Sequence, residues 1–357
     1  MSSASQRLQR EHREQEGPLL TVRDLAVRFY TMRGIVHALT GVSFDVGRRE
    51  SVGLVGETGC GKSITARAVL RLIEPPGHVD AGSIQFDGAN LLDLSELQMR
   101  EIRGERISMI MQEPKVSLNP VMRVGRQIAE TLLIHHPELK RREARERALD
   151  MLRSVRIPDA GRMARRFPHE LSGGMAQRIM IAMMLVTRPR LLVADEPTSA
   201  LDVTIQAQIL ELINGLIDEI HSSVLMITHD LAVVAETCDR VLVMYAGTVV
   251  ESGTVSEVLG DPKHPYTRGL LQTLPERAAP GSPLRAIKGN VPSLFDPPEG
   301  CRFAPRCEHA MAHCFENRPP EAVFGDPSIN SHRTACFLYA DGNDGPPRAK
   351  PDEARAT

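Results

Sequence analysis

Gly56-Glu57-Thr58-Gly59-Cys60-Gly61-Lys62-Ser63 is the stretch from which the rest of the chain can be laid out. Ahead of it runs Ser51-Val52-Gly53-Leu54-Val55, short and apolar, which reads as a buried strand. Behind it runs Ile64 to Ile73, apolar at helical spacing and free of breakers. Strand, G-x-x-x-x-G-K-[ST], helix is the context that makes a glycine-rich turn a phosphate cradle. The glycines let successive backbone N–H groups turn inward, and the helix N-terminus adds its dipole. Lys62 then reaches the outer phosphates, and the Ser63 hydroxyl is placed for Mg2+. The stretch implies a nucleoside triphosphate site.

Composition bounds the rest. The 357 residues, 42% hydrophobic and 25% charged, suit one large domain with a smaller one, or two domains. A net charge of −2 gives no bulk electrostatic footprint for nucleic acid. The apolar runs fall far short of the ~20 residues of a spanning helix. Residues 1–17 are polar and charged, without the apolar core of a signal peptide, and read as a disordered arm. A cytoplasmic chain with reduced thiols is expected.

From Leu19 the chain alternates through Leu20, Val22, Leu25, Val27 and Phe29, then Val36, Leu39, Val42, Phe44 and Val46. That pattern predicts a small antiparallel sheet ahead of the glycine loop. Phe29 or Tyr30, ending the first run, can stack on an adenine ring or simply pack in the sheet. A strand over 106–111 ends at Gln112, from where an amide can reach Mg2+ or its water. Residues 125–185 are helical in pattern, and the Arg- and Glu-dense part over 137–153 reads as a solvated helix. Within this region Leu171-Ser172-Gly173-Gly174-Met175 opens a helix. Ser172 is placed as its N-cap, and the glycines beside the helix end form a second anion-binding surface.

Leu191 to Ala194 is an apolar strand ending in Asp195 and Glu196. An Asp at a strand tip beside the loop is suited to hold Mg2+. A Glu one residue on, facing the other way along the pleat, can polarise a water aimed at the terminal phosphate. Asp202 caps a helix to about Ile220, a further strand over 224–228 ends at His229, and a hairpin over 240–251 closes the domain. Open parallel sheets hold ligands at the carboxyl ends of their strands, the edge where these polar groups fall.

In this order the motifs resemble an ABC-transporter ATP-binding subunit over roughly residues 19–255. The resemblance implies an α/β P-loop NTPase domain of the ABC type over 18–258. Its parts are a RecA-like mixed sheet, an antiparallel β subdomain and a helical subdomain at about 113–185. It implies nucleotide contacts from Phe29 (by register, over Tyr30), Gly56, Glu57, Thr58, Gly59, Cys60, Gly61, Lys62, Ser63, Ile64 and Gln112. It implies Mg2+ on Ser63, Gln112 and Asp195, and catalysis of ATP hydrolysis by Glu196, His229 and Lys62. Ser172, Gly173, Gly174 and Met175 match the signature that completes the ATP site of a partner subunit. Met175 stands where most of the family has Gln, as in the peptide-permease branch. Ser199, Ala200, Leu201 and Asp202 match the D-loop.

The C-terminal part, with Asp261 to Leu271, Gly289-Asn-Val-Pro292 and Gly300 to Cys307, resembles the extension of oligopeptide and dipeptide permease ATPases over 259–340. A di- or oligopeptide importer is implied, with a nickel or other small-solute importer, or a non-transport ABC ATPase, as alternatives. Implied partners are a second ATPase subunit (a relative or a second copy), two transmembrane permease subunits and an extracytoplasmic solute-binding protein. The expected place is the cytoplasmic face of the cell membrane, held peripherally. From 341 the tail is Gly-, Pro- and charge-rich and reads as disordered.

Four of the six cysteines, Cys301, Cys307, Cys314 and Cys336, fall in this extension. In a reducing compartment they read as a metal site before a disulfide set. They lack the C-x2-C knuckles of most zinc ribbons. The resembled extension is associated with a [4Fe–4S] cluster; zinc and free thiols remain open. Such a site would pin a segment poor in apolar residues.

Overall fold

The computed structural model describes residues 17–199, 202–273, 286–325 and 331–342. The two expected disordered tails fall almost wholly outside these residues, as do Ala200 and Leu201 of the D-loop match.

Two sheets organise the chain. The first, in the order β2-β1-β4-β5, is antiparallel. Its strands are β1 (Leu20–Thr31), β2 (Gly34–Val46), β4 (Gly77–Phe86) and β5 (Ala89–Asn90). The alternating stretch ahead of the glycine loop forms two long strands, β1 and β2, in register from Leu20↔Val46 to Thr31↔Gly34 with bulges between.

The second sheet runs β11-β12-β10-β9-β3-β8-β7-β6. Its parallel core comprises β3 (Ser51–Val55), β6 (Ile107–Ile110), β7 (Leu191–Asp195), β8 (Ser223–Ile227) and β9 (Arg240–Tyr245). Because side chains alternate along a strand, each core strand feeds two faces. Leu191 and Val193 of β7 enter one core with Leu225 and Ile227 of β8. Leu192 and Ala194 enter another with Val224 and Met226.

The first of these cores seats the antiparallel sheet and helix α1 (Lys62–Val69). The second holds the helical region: α2 (Val124–His135), α3 (Arg141–Ser154), α4 (Gly173–Leu185) and α5 (Val203–Ile220). The Arg- and Glu-rich helix α3 buries only Ala144, Ala148 and Leu152, one stripe at i, i+4, i+8.

The hairpin of β9 and β10 (Thr248–Thr254) does not end the sheet. Beyond β10 lie β12 (His332–Ala335) and β11 (Glu321–Phe324), both from the C-terminal extension, with Glu251 paired to Thr334. A third core joins Val241, Val243 and Tyr245 of β9 to Tyr266 and Leu271 of α6 (Pro265–Gln272) and to Phe303. Among the described residues no helix is long and apolar enough to cross a membrane.

Candidate functional site

The carboxyl end of β3 runs into the glycine loop. Gly56 and Gly61 adopt φ of 152° and 107°, a region L side chains rarely enter. A Cβ on Gly56 would lie 2.2 Å from the Met244 carbonyl oxygen, so the loop is held against β9 without room for a side chain. Lys62, buried at the start of α1, donates from Nζ to the Gly56 carbonyl at 2.8 Å and the Glu57 carbonyl at 3.2 Å. Its charge is thus held across the mouth of the loop. Cys60 is buried beside it, and burial pushes its thiol pKa up, while Ile64 packs against the core beneath.

β7 lies between β6 and β8, and the ends of these strands bring the polar groups together. Ser63 Oγ donates to Asp195 Oδ1 at 3.0 Å, uniting the hydroxyl and carboxylate expected on Mg2+. Asp195 is 6% exposed, and burial raises its carboxyl pKa despite the Ser63 hydrogen bond. Gln112 does not join this pair. Its Nε2 donates to Glu196 Oε2 at 3.1 Å, while His229 Nδ1 lies 3.2 Å from Glu196 Oε1. Glu196 is therefore gripped from β6 and from β8 at once.

Pleat alternation does not aim Glu196. The residue sits past the end of β7 with φ 46°, in the left-handed region, its N–H donating to the Ile227 carbonyl at 2.9 Å. A non-glycine residue held there costs of order ~1–3 kcal/mol, retained where the surroundings enforce it. The Gln177 amide, which donates to the Pro197 carbonyl at 2.5 Å from the buried side of α4, is one such restraint. The sequence signals that support only through an amide on a mostly apolar helix, where it stands beside Arg178.

Phe29 is half-buried with its ring against Gly77, where a Cβ would come 2.6 Å from Cε1. Tyr30, 45% exposed, donates its hydroxyl to Asp80 Oδ2 at 2.7 Å. Ser172 caps α4 by accepting the Met175 N–H at 3.4 Å. Ser172 and Gly173 are exposed, whereas Met175 packs against the helical core. Gly59 and Thr58 are exposed in the glycine loop. Ser199 is exposed, and Asp202 caps α5 by accepting the Ile205 N–H at 3.0 Å. The glycine loop and the Ser172 helix end thus belong to helices seated in different cores.

Comparison with known proteins gives this geometry a family. The profile described as "ABC transporter" matches residues 39–199. That described as "Oligopeptide/dipeptide transporter, C-terminal region" matches residues 250–314. A probable peptide ABC transporter ATP-binding protein of Sinorhizobium fredii is 54% identical over 303 residues, 84% of this chain and 90% of that one. The chain belongs to the ABC transporter family. The oligopeptide transport ATP-binding protein OppD of Bacillus subtilis is 47% identical, covering 94% of this chain and 92% of that protein. A solved dimeric ATP-binding cassette in a post-hydrolysis state with ADP and Pi superposes with TM-score 0.60 at 26% identity. It covers 66% of this chain and 98% of its own.

In this ABC ATPase the first profile leaves out Phe29 and His229, and the second leaves out Cys336. Cys301, Cys307, Cys314 and Cys336 all line one cavity, with Phe303, Phe337 and Leu338 among its apolar walls. Burial, with the neighbouring sulfurs adding to it, pushes Cys307 up to about 11 and Cys336 up to about 12. Among the described residues, however, no group of three or more His, Cys, Asp or Glu side chains is arranged to hold a metal ion. The four thiols share a cavity without forming a ready-made metal site. Cys238, apart from these four, is half-buried with its Sγ 3.5 Å from the Thr237 hydroxyl.

Proposed function

We propose that this ATPase powers uptake of di- or oligopeptides through partner permease subunits. The observation that carries the substrate class is the tandem of an ABC transporter match and a peptide-transporter C-terminal match, with relatives named for peptide transport. In this reading Phe29 stacks on the adenine, and the N–H groups of the glycine loop from Thr58 to Ile64, with Lys62, take the phosphates, the Glu57 N–H being held by Tyr266. Ser63 and Asp195 would hold Mg2+, which neutralises phosphate charge when bound.

Glu196, next along the chain from Asp195 and held between Gln112 and His229, orients and deprotonates the attacking water. His229 shares its carboxylate and contacts the terminal phosphate, and Gln112 senses the same carboxylate from β6. Ser172, Gly173, Gly174 and Met175 face the ATP of a partner ATPase, with Ser199 and Asp202 beside that interface. The exposed end of α4 suits this, because a helix N-terminus attracts phosphate only where it is uncovered. The assembly pairs two ATPase subunits, related or identical, with two membrane subunits and an external binding protein. The chain then sits at the cytoplasmic face of the membrane without spanning it.

The four-cysteine cavity is proposed to hold a [4Fe–4S] cluster. Support comes from the donor set alone: four cysteine sulfurs and apolar walls around one cavity. Such a cluster would cross-link the 301–314 loops to Cys336 and supply no step of hydrolysis.

Uptake of a labelled dipeptide, a labelled pentapeptide and nickel should be compared in cells carrying the wild-type chain or Lys62→Ala. Lys62-dependent uptake of either peptide supports the reading, and Lys62-dependent uptake of nickel alone replaces it. Iron, zinc and acid-labile sulfide in anaerobically purified protein test the cluster separately. Zinc without sulfide would discard it.

A further inference from the structure

The C-terminal extension reaches back to the glycine loop through one side chain. Arg306 lies in the short turn Ala304–Arg306, between Cys301 and Cys307. Its Nη1 donates to Glu57 Oε2 at 2.7 Å and its Nη2 to Glu57 Oε1 at 3.1 Å, a two-pronged pair. Nη1 also donates to the Tyr245 hydroxyl at 3.2 Å, Nη2 to the Ile287 carbonyl at 3.3 Å, and Nε to the Lys288 carbonyl at 3.0 Å. Five hydrogen bonds match the five N–H donors a guanidinium possesses, so this group is fully committed. Its side chain is 5% exposed, while that of Glu57 is 28% exposed.

A second group of the extension meets the same residue. The Glu57 N–H donates at 2.9 Å to the hydroxyl of Tyr266 on α6. The Tyr266 and Tyr245 rings stand 4.6 Å apart, and Phe303 packs edge-on against Tyr245 at 5.2 Å. Backbone and side chain of Glu57 are therefore both fixed by residues far downstream.

Glu57 is the second residue of a loop built to bind a polyanion, and a bare carboxylate there opposes phosphate. We propose that Arg306 is a positioning residue for ATP. By pairing with Glu57 it neutralises that carboxylate, and together with Tyr266 it fixes the entry of the loop. The nucleotide site of this chain therefore includes part of its C-terminal extension. This rests on the ATPase assignment and on no ligand in the cysteine cavity.

The test is steady-state ATPase kinetics on the purified full chain, with thermal melting alongside. Arg306→Met should raise KM for ATP about tenfold, the loss of one charge-assisted hydrogen-bonded pair, with kcat within about twofold. Adding Glu57→Gln to Arg306→Met removes the stranded carboxylate and should return KM to within about threefold of wild type. Arg306→Lys should fall between, because an ammonium keeps the charge and loses the fork.

An unchanged KM in Arg306→Met overturns the proposal. So does a double variant as impaired as Arg306→Met, which would make the arginine a structural staple only. Should Arg306→Met not fold, Tyr266→Phe carries the test: a raised KM at an unchanged melting temperature supports the proposal, and an unchanged KM overturns it. A wild-type chain that hydrolyses no ATP would instead sink the ATPase assignment.

Discussion

Replacing Glu196 by Gln removes one negative charge from the site and almost nothing else. The carboxylate receives the Gln112 amide at 3.1 Å on one oxygen and faces His229 Nδ1 at 3.2 Å with the other. A glutamine can fill both places, its carbonyl toward Gln112 and its NH2 toward a His229 nitrogen left as acceptor. The left-handed backbone at 196 is as tolerable for Gln as for Glu, so the chain should fold and bind ATP as before. What is lost is the proton acceptor for the attacking water. General-base catalysis contributes roughly 10²–10⁴-fold, so kcat should fall by that factor, or about 3–5 kcal/mol of barrier at 1.36 kcal/mol per tenfold. Phosphate release under saturating Mg-ATP measures the rate. Binding of a fluorescent nucleotide and gel filtration in ATP measure the rest, with an ATP-bound dimer accumulating. If Glu196→Gln turned over within threefold of wild type while binding ATP normally, another group would be the base.

Three further outcomes follow from particular contacts. Gly56→Ala drives a Cβ to 2.2 Å from the Met244 carbonyl, backbone that cannot swing aside, at a strained φ; destabilisation of about 3 kcal/mol or more in urea melts is expected. Asp195 has a raised pKa from burial, so it takes up a proton before an ordinary Asp as pH falls. Mg2+ affinity should therefore weaken earlier on acidification than for an ordinary Asp, and Asp195→Asn should melt higher without Mg2+ while losing Mg2+-dependent hydrolysis. Burial lowers His264 to about 4 from 6.5, so its stabilising effect is complete above 6.5 and is lost as pH falls toward 4. That amounts to about 3 kcal/mol across the window, and His264→Asn, which keeps a helix-capping acceptor, should flatten the pH dependence seen in urea melts.

The glycine loop, the acidic strand end and the Ser172 cap were legible because each is local. A strand, a turn and a helix start each write their residues within a dozen positions. Glu196 stands out in the sequence through its neighbour Asp195, but the left-handed turn after β7, not the pleat, directs its side chain. At the end of β6 the Gln112 amide donates to Glu196, a contact that depends on where β6 lies in the sheet and that no local pattern shows. Strands β11 and β12 had no local signature. Four residues each, with charged and polar members, they are strands because β10 offers an edge to β12 and β12 offers the next to β11.

That edge explains why the extension has to be built onto the ATPase. β9 turns Val241, Val243 and Tyr245 away from the core that seats the glycine loop, and all three are fully buried. Tyr266, Leu271 and Phe303 share that core with Leu231 and Val234, so an ATPase ending near 258 would leave part of an apolar face bare on the very strand that Gly56 touches. Glu251 on β10 ties the two halves further. Its buried carboxylate accepts the N–H groups of Lys263 at 2.6 Å and His264 at 2.9 Å, and faces His332 Nε2 at 2.7 Å. A buried carboxylate survives only where such donors replace water. Each of its donors comes from beyond residue 258, so the second half of the chain satisfies a charge buried in the first. The contact from Arg306 to Glu57 is the same dependence carried one step further, from the sheet into the phosphate loop.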